Sequence, residues 1–191
     1  MRLVLASRNA HKLRELTDLL APHELAPLPN GVELPPENGE TFADNARAKA
    51  RAAAREAGGP VLGEDSGIVV AALGGGPGVR SARYAGESAG DEDNLRKLLR
   101  ETEDVSDRFA EYACALALVD ADGELRLFEG RCAGALAREP RGDGGFGYDP
   151  IFVPAEGPDE NTTMAELAPA DKDAISHRGR AARLLLEWLA R

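Results

Sequence analysis

The chain has 191 residues, 43% of them hydrophobic, enough for one domain (residues 1–191) with a substantial buried core. Its 23 Lys and Arg against 33 Asp and Glu leave a formal charge of −10, which disfavours broad binding to nucleic acid or anionic membranes, so a polyanionic ligand needs a local basic pocket. Cys114 and Cys132 lie too far apart for a zinc motif and read as reduced core residues, and no apolar run approaches the roughly 20 residues of a membrane span; a cytoplasmic location is expected.

In chain order, Leu3–Ala6 suits a buried strand, and Ser7-Arg8-Asn9 is the loop before a helix with an apolar face at Leu13, Leu16, Leu19 and Leu20. The Pro- and Gly-rich stretch 21–39 interrupts regular structure, with a brief strand at Val32-Glu33-Leu34. Thr41 and Asp44 resemble a capping box at the start of an Ala-rich helix that runs through Ala57 and ends at Gly58-Gly59. Val61-Leu62 and Ile68–Ala72 read as two strand segments joined by an acidic corner, Glu64-Asp65-Ser66-Gly67. After the Gly74–Gly78 loop, Asp91 caps a helix carrying Leu95, Leu98 and Leu99. Strands over Phe109–Val119 and Glu124–Ala137 form a hairpin about Asp120–Gly123; if 120 pairs with 123, Cys114 faces Glu129 and Cys132 faces Glu111. The Gly-rich loop 142–149 leads into apolar Ile151-Phe152-Val153, residues 154–162 are irregular, and the last helix buries Leu184, Leu185, Trp188 and Leu189. The alternation predicts an α/β fold with a long mixed sheet flanked by helices.

Four segments carry chemistry, and each has a plainer reading. Ser7, Arg8, Asn9, Ala10, His11 and Lys12 lie where a strand feeds a helix, so free N–H groups and basic side chains attract phosphate; alternatively they are an ordinary helix start with solvated charges. Glu64 and Asp65, with Glu37 in the loop before the long helix, offer the carboxylates that Mg²⁺ takes together with substrate phosphates; the plainer reading is a turn whose acids face water. Were both acids in extended strand they would point to opposite faces, leaving one central and the other peripheral or structural. In Phe146-Gly147-Tyr148-Asp149 a ring can stack on a nucleobase and Asp149 can accept from base or ribose, although aromatics beside a strand commonly belong to the core. Lys172 with Ser176-His177-Arg178-Gly179 suits a phosphate or a purine carbonyl, or else a capped helix start.

Together these segments, with Glu37–Ala46 and Gly74–Tyr84, resemble the inosine triphosphate pyrophosphatase family over almost the whole chain. The Gly-Phe-Gly-Tyr-Asp and Ile-Ser-His-Arg-Gly strings are jointly the most specific part of the match. The resemblance implies hydrolysis of ITP, dITP and XTP to monophosphate and pyrophosphate by a homodimer with two lobes around a central nucleotide-binding cleft. It implies Mg²⁺ at Glu37 and Asp65, with Asp65 also the catalytic base, and Ser7–Lys12 and Lys49 on the phosphates. Ser66, Phe146, Gly147, Tyr148, Asp149, Lys172, His177 and Arg178 then contact the nucleotide, Phe146 stacking on the base. Arg8 departs from the small or polar residue usual there, and Glu64 stands where many members have Asp. An unperturbed Asp has a pKa of about 3.9, so Asp65 is better seen as orienting water than as a strong base. Donors aimed at a six-position carbonyl would be left unpaired by a six-amino group, which disfavours ATP. A nucleotide-sensing regulator without the reaction and a pyrophosphatase for modified pyrimidine nucleotides are the rival readings; a nucleic-acid module fits the charge least.

Overall fold

The computed structural model describes residues 1–191. Six strands form one mixed sheet in the order β2-β1-β3-β4-β5-β6: β1 (Arg2–Ala6), β2 (Glu24–Ala26), β3 (Val61–Val70), β4 (Phe109–Val119), β5 (Leu125–Leu136) and β6 (Phe152–Pro154). β1 pairs in parallel with β2 and β3, whereas β6 pairs antiparallel with β5. The helices are α1 (Ala10–Leu19), α2 (Phe42–Ala57), α3 (Asp91–Glu101), α4 (Pro169–Ile175) and α5 (His177–Leu189). The α/β expectation therefore holds. No helix is long and apolar enough to cross a membrane.

The chain divides into two compact units, each assembled from separate segments. The first comprises Met1–Asp65, Cys114–Gly130 and Arg178–Arg191. Its parallel neighbours β1 and β3 are buried on both faces, as parallel strands covered by helices must be. Leu3 and Leu5 of β1 and Cys114, Leu116 and Leu118 of β4 pack with Leu16 of α1 and Ala181, Ala182 and Leu185 of α5. The alternate residues turn the other way: Val4 and Ala6 meet Ala53 of α2, while Ala115, Ala117 and Val119 meet Ala46 and Ala50. The second unit, Ser66–Ala113 and Arg131–His177, gathers Ile68, Val70, Leu95, Leu98, Tyr112, Leu136, Ile151 and Phe152 into its own core.

Several local expectations are corrected. The acidic corner does not exist: Val61–Val70 is one unbroken strand. Gly63 and Gly67 have no left-handed backbone, and their lack of a side chain serves close packing instead. A Cβ on Gly63 would lie 2.1 Å from the carbonyl oxygen of Ala46, and one on Gly67 would lie 2.3 Å from Ser81 Oγ. β3 ends at Val70, giving way to a short 3-10 turn over Ala71–Leu73.

Stretch 21–39 does contain a strand, but at Glu24–Ala26 rather than Val32–Leu34. Val32 is a buried loop residue whose carbonyl accepts from Arg8. Gly90, not Asp91, is the N-cap of α3, with Asp93 accepting its N–H, and Asp91 instead accepts from Gly147 N at 2.8 Å.

In the β4–β5 turn, Asp120 N bonds Glu124 O at 3.0 Å and Gly123 N bonds Asp120 O at 3.1 Å. Residue 120 thus opposes 124 across a three-residue loop, with Gly123 at φ 82° in the left-handed region, a one-residue shift from the expected register. Leu184 is 45% exposed; the buried face of α5 runs through Ala181, Ala182 and Leu185, flanked by Trp188 and Leu189.

Candidate active site

In the first unit, extended backbone at β3 sends Glu64 and Asp65 to opposite faces, and both are buried, at 0% and 4% exposure, so neither faces water. Glu64 sits under α1 and α5. Its Oε2 lies 2.7 Å from Lys12 Nζ, its Oε1 lies 3.3 Å from Arg178 Nη2, and the Cys114 thiol donates to Oε1 at 3.8 Å. Arg178 also donates to Glu15 on α1. Burial pushes the Glu64 carboxyl up, but Lys12, Arg178 and Lys49 together outweigh it and hold the group well below the usual carboxylate range. Glu64 is thus a fixed anion, which answers whether it is peripheral: it is the hub of a buried ion-pair network.

Asp65 faces α2. Asn45 Nδ2 donates to its Oδ2 at 2.9 Å and Lys49 Nζ to its Oδ1 at 3.3 Å, these two residues lying one helical turn apart on α2. The same ammonium donates to Glu37 Oε1 at 2.6 Å, so one lysine joins the two acids singled out for metal. Burial raises the Asp65 carboxyl above its ordinary value, and neighbouring Glu64 and Glu37 add to this against the pull of Lys49 and Lys12. For Lys49, burial lowers the pKa, but Asp65, Glu64 and Glu37 overcome it and raise it, keeping the ammonium charged. A carboxyl held well below its ordinary pKa and one raised above it therefore stand back to back on consecutive residues.

At the start of α1, Asn9 is the N-cap, and its Oδ1 accepts from His11 N at 2.9 Å and Lys12 N at 3.1 Å, so two of the helix's open donors already have a partner. Ser7 Oγ accepts from Asn9 N, and Arg8 donates to Val32 O at 2.8 Å and Pro29 O at 3.4 Å, bracing the following loop. Arg8, Asn9, Ala10 and His11 are exposed, whereas Lys12 turns inward to Glu64.

In the second unit, Ser66 is half-buried and continues β3 beyond Asp65. Asp149 is buried beside Lys172, whose Nζ donates to Oδ2 at 2.7 Å; Phe146 N donates to the same oxygen at 3.0 Å, closing the Gly-rich loop on itself. A Cβ on Gly145 would meet that oxygen at 2.0 Å, and the residue's φ of 68° also favours glycine. Lys172 Nζ lies 5.5 Å from the centroid of the half-buried Phe146 ring, near enough for a cation–π contact. Tyr148 is core, its hydroxyl donating to Ser81 O at 2.7 Å, and Gly147 is tied to Asp91. His177 is buried and stacks on Tyr112, with centroids 4.6 Å apart and ring planes 12° apart.

The expected residues thus fall into two groups: Glu37, Lys49, Asp65 and Lys12 with Arg178 in the first unit, and Phe146, Asp149, Lys172 and His177 in the second. Four participants were not anticipated. Asn45 could have been found as the i−4 neighbour of Lys49, and Glu15 as the i+3 neighbour of Lys12, on shared helix faces. Cys114 and Tyr112 offered only the alternation of β4.

The mixed sheet and the buried acid–lysine centre on its third strand define an α/β protein whose charged groups are held by helices packed on both sheet faces. The chain belongs to the Ham1 family, whose profile matches residues 3–188. Among its relatives are proteins named dITP/XTP pyrophosphatase from Geobacter sulfurreducens, 47% identical over 98% of this chain and 96% of that one, and from Shigella flexneri, 48% identical over 98% of each. Among solved structures, a HAM1 protein from Coxiella burnetii superposes with a TM-score of 0.87 at 43% identity over 100% of this chain and 98% of that one. The Ham1 protein of Staphylococcus aureus gives 0.86 at 37% identity over the same shares.

Proposed function

We propose that this protein hydrolyses non-standard purine nucleoside triphosphates, dITP, ITP and XTP, to the monophosphate and pyrophosphate. The observation that carries the reading is the Glu37–Lys49–Asp65 bridge beside the fixed anion Glu64: a buried carboxylate and a half-buried one converge on one buried ammonium. Full-length relatedness to proteins named for dITP and XTP supports the substrate class.

Mg²⁺ suits this donor set. No group of three or more His, Cys, Asp or Glu is placed to hold a metal, and Mg²⁺ asks for only one or two carboxylates with substrate phosphates completing its shell. Glu37 and Asp65, already drawn to a shared positive charge, would hold it. Bound there, it would neutralise phosphate charge and polarise the phosphoryl oxygens.

The chain's own groups do the rest. Asp65 accepts a hydrogen bond from water and orients it toward the α-phosphorus; the new oxygen–phosphorus bond forms as the bond to the pyrophosphate oxygen breaks, and the water's proton passes to Asp65. Burial raises its pKa and bound Mg²⁺ would oppose that rise, so its main contribution is to position the water. Lys49 and Lys12 supply positive charge to the polyphosphate, and Ser7–Lys12 line its approach. Phe146 stacks on the base while Lys172 and His177 donate to the six-position carbonyl, with Ser66, Gly147, Tyr148, Asp149 and Arg178 shaping or contacting the nucleotide. The working unit is a homodimer.

A substrate panel with product identification tests this. The purified protein with Mg²⁺ should convert dITP, ITP and XTP to monophosphate and pyrophosphate far faster than ATP or GTP, and lose turnover in EDTA. Release of orthophosphate would reject the reaction, and equal rates on all five would reject the selectivity.

A further inference from the structure

We propose that Tyr112 is a positioning residue for purine recognition: one side chain fixes both His177 and the Asp149–Lys172 pair. The inference rests on the function proposed above and adds a residue that the sequence reading did not single out.

Tyr112 lies on β4 with 6% of its surface exposed, and its phenol donates to Asp149 Oδ1 at 3.0 Å. The opposite oxygen of that carboxylate receives Lys172 Nζ and Phe146 N. Asp149 thus holds donors on both oxygens, and the phenol sets which way the carboxylate plane turns. That plane in turn sets where the Lys172 ammonium and the start of the Phe146 loop are held. The face of the same ring stacks on His177, while Phe152 abuts it at 4.4 Å with ring planes tilted by 47°. Phe152 is fully buried, so Tyr112 is pinned between a rigid core ring and the imidazole.

Hydrogen-bonding groups discriminate a carbonyl from an amino group only while their positions are fixed before the base arrives. Tyr112 supplies that fixing for three of the proposed base-contacting residues at once. The hydroxyl and the ring act separately: the hydroxyl orients Asp149 and through it Lys172 and Phe146, and the ring orients His177.

The test is Tyr112→Phe, which keeps the ring and its stacking and deletes one hydrogen bond to a carboxylate. The expected result is a KM for dITP raised about tenfold, with kcat changed much less, and a preference for dITP over dATP, which carries an amino group at the six position, reduced by a similar factor. Binding of IMP should weaken while binding of pyrophosphate, which lacks a base, stays at the wild-type value. A role in packing alone predicts wild-type KM and selectivity in this variant, and that outcome overturns the proposal.

Asp149→Asn and the double variant complete a cycle. Coupling between the two changes in KM for dITP is expected, and strict multiplication of the single effects would also overturn the proposal. Should Tyr112→Phe not fold, the double variant is compared with Asp149→Asn: a hydroxyl that acts through Asp149 predicts the same dITP KM in both, and a further tenfold rise in the double variant overturns the proposal. Wild-type turnover of dITP, measured alongside, tests the underlying function, so absence of turnover rejects that reading and not the role of Tyr112.

Discussion

Replacing Glu64 by Gln removes one charge at the best-buried ionic position in the chain and keeps nearly the same volume. Glu64 is wholly buried and faces Lys12 at 2.7 Å and Arg178 at 3.3 Å, the latter itself 3% exposed. Removing one partner from a buried ion pair costs about 3–5 kcal/mol, because the remaining charge keeps its desolvation cost without its compensation. The lower end applies here, since Arg178 retains Glu15 and the Lys12 side chain is 13% exposed, close enough to the surface to regain water. At roughly 2–4 °C per kcal/mol for a chain of this size, the melting temperature should fall by about 6–12 °C at pH 7.

The pH dependence fixes the sign. The Glu64 carboxyl is held below its ordinary value of 4.5 in the folded state, so its contribution is complete above that pH and is lost as the pH falls through the folded value. The gap between wild type and Glu64→Gln, measured by urea unfolding at a series of pH values, should therefore be full at neutrality and narrow in acid. Equal midpoints at pH 7, or a gap that widens on acidification, would refute the reasoning.

Asp65→Asn should lower kcat by at least about 100-fold with only a modest fall in melting temperature. Burial raises the Asp65 pKa in the folded state, so its contribution to stability falls as pH rises through the folded value and a neutral isostere removes that cost; the buried Lys49 ammonium meanwhile loses one counter-charge and keeps Glu37, which leaves a modest net loss. A large drop in melting temperature or near-normal turnover would contradict this. Gly63→Ala should cost about 1–3 kcal/mol, read as a lower urea midpoint, because the added methyl meets Ala46 O and the Ala50 backbone; a wild-type midpoint would show that α2 yields freely.

The parts of the fold written in short-range periodicity were legible beforehand. Thr41 and Gly58 bracket α2 as expected, because a side-chain cap and a left-handed terminator act within a few residues. The break at Glu64–Gly67 was misread because glycine has two uses, turning and close approach, and only the neighbouring element tells them apart. At Gly63 and Gly67 the neighbours are Ala46 and Ser81, 17 and 14 residues distant in sequence. Leu184 was misplaced because a run of three leucines satisfies several helical phases, and only packing against Leu16 and Leu118 selects Leu185.

In the candidate site, the residue types were legible but their partners were not. Lys12 read as a cation for phosphate, yet it is also the counter-charge of Glu64, and Arg8 braces a loop through its guanidinium. Those pairings depend on which helix covers which sheet face, a long-range property that local pattern does not carry.

Gly63 and Asp65 are two residues apart on one strand and so look toward the same helix. The bare hydrogen at position 63 sets how deeply α2 beds onto the sheet, and Asn45 and Lys49 ride on that helix toward Asp65. Coulomb attraction varies inversely with separation, so the seating depth acts as a tuning screw for the proton affinity of Asp65. Graded substitutions along the buried face of α2, at Ala46 and Ala50, would therefore shift the acid limb of the pH–rate profile with every charged group left in place.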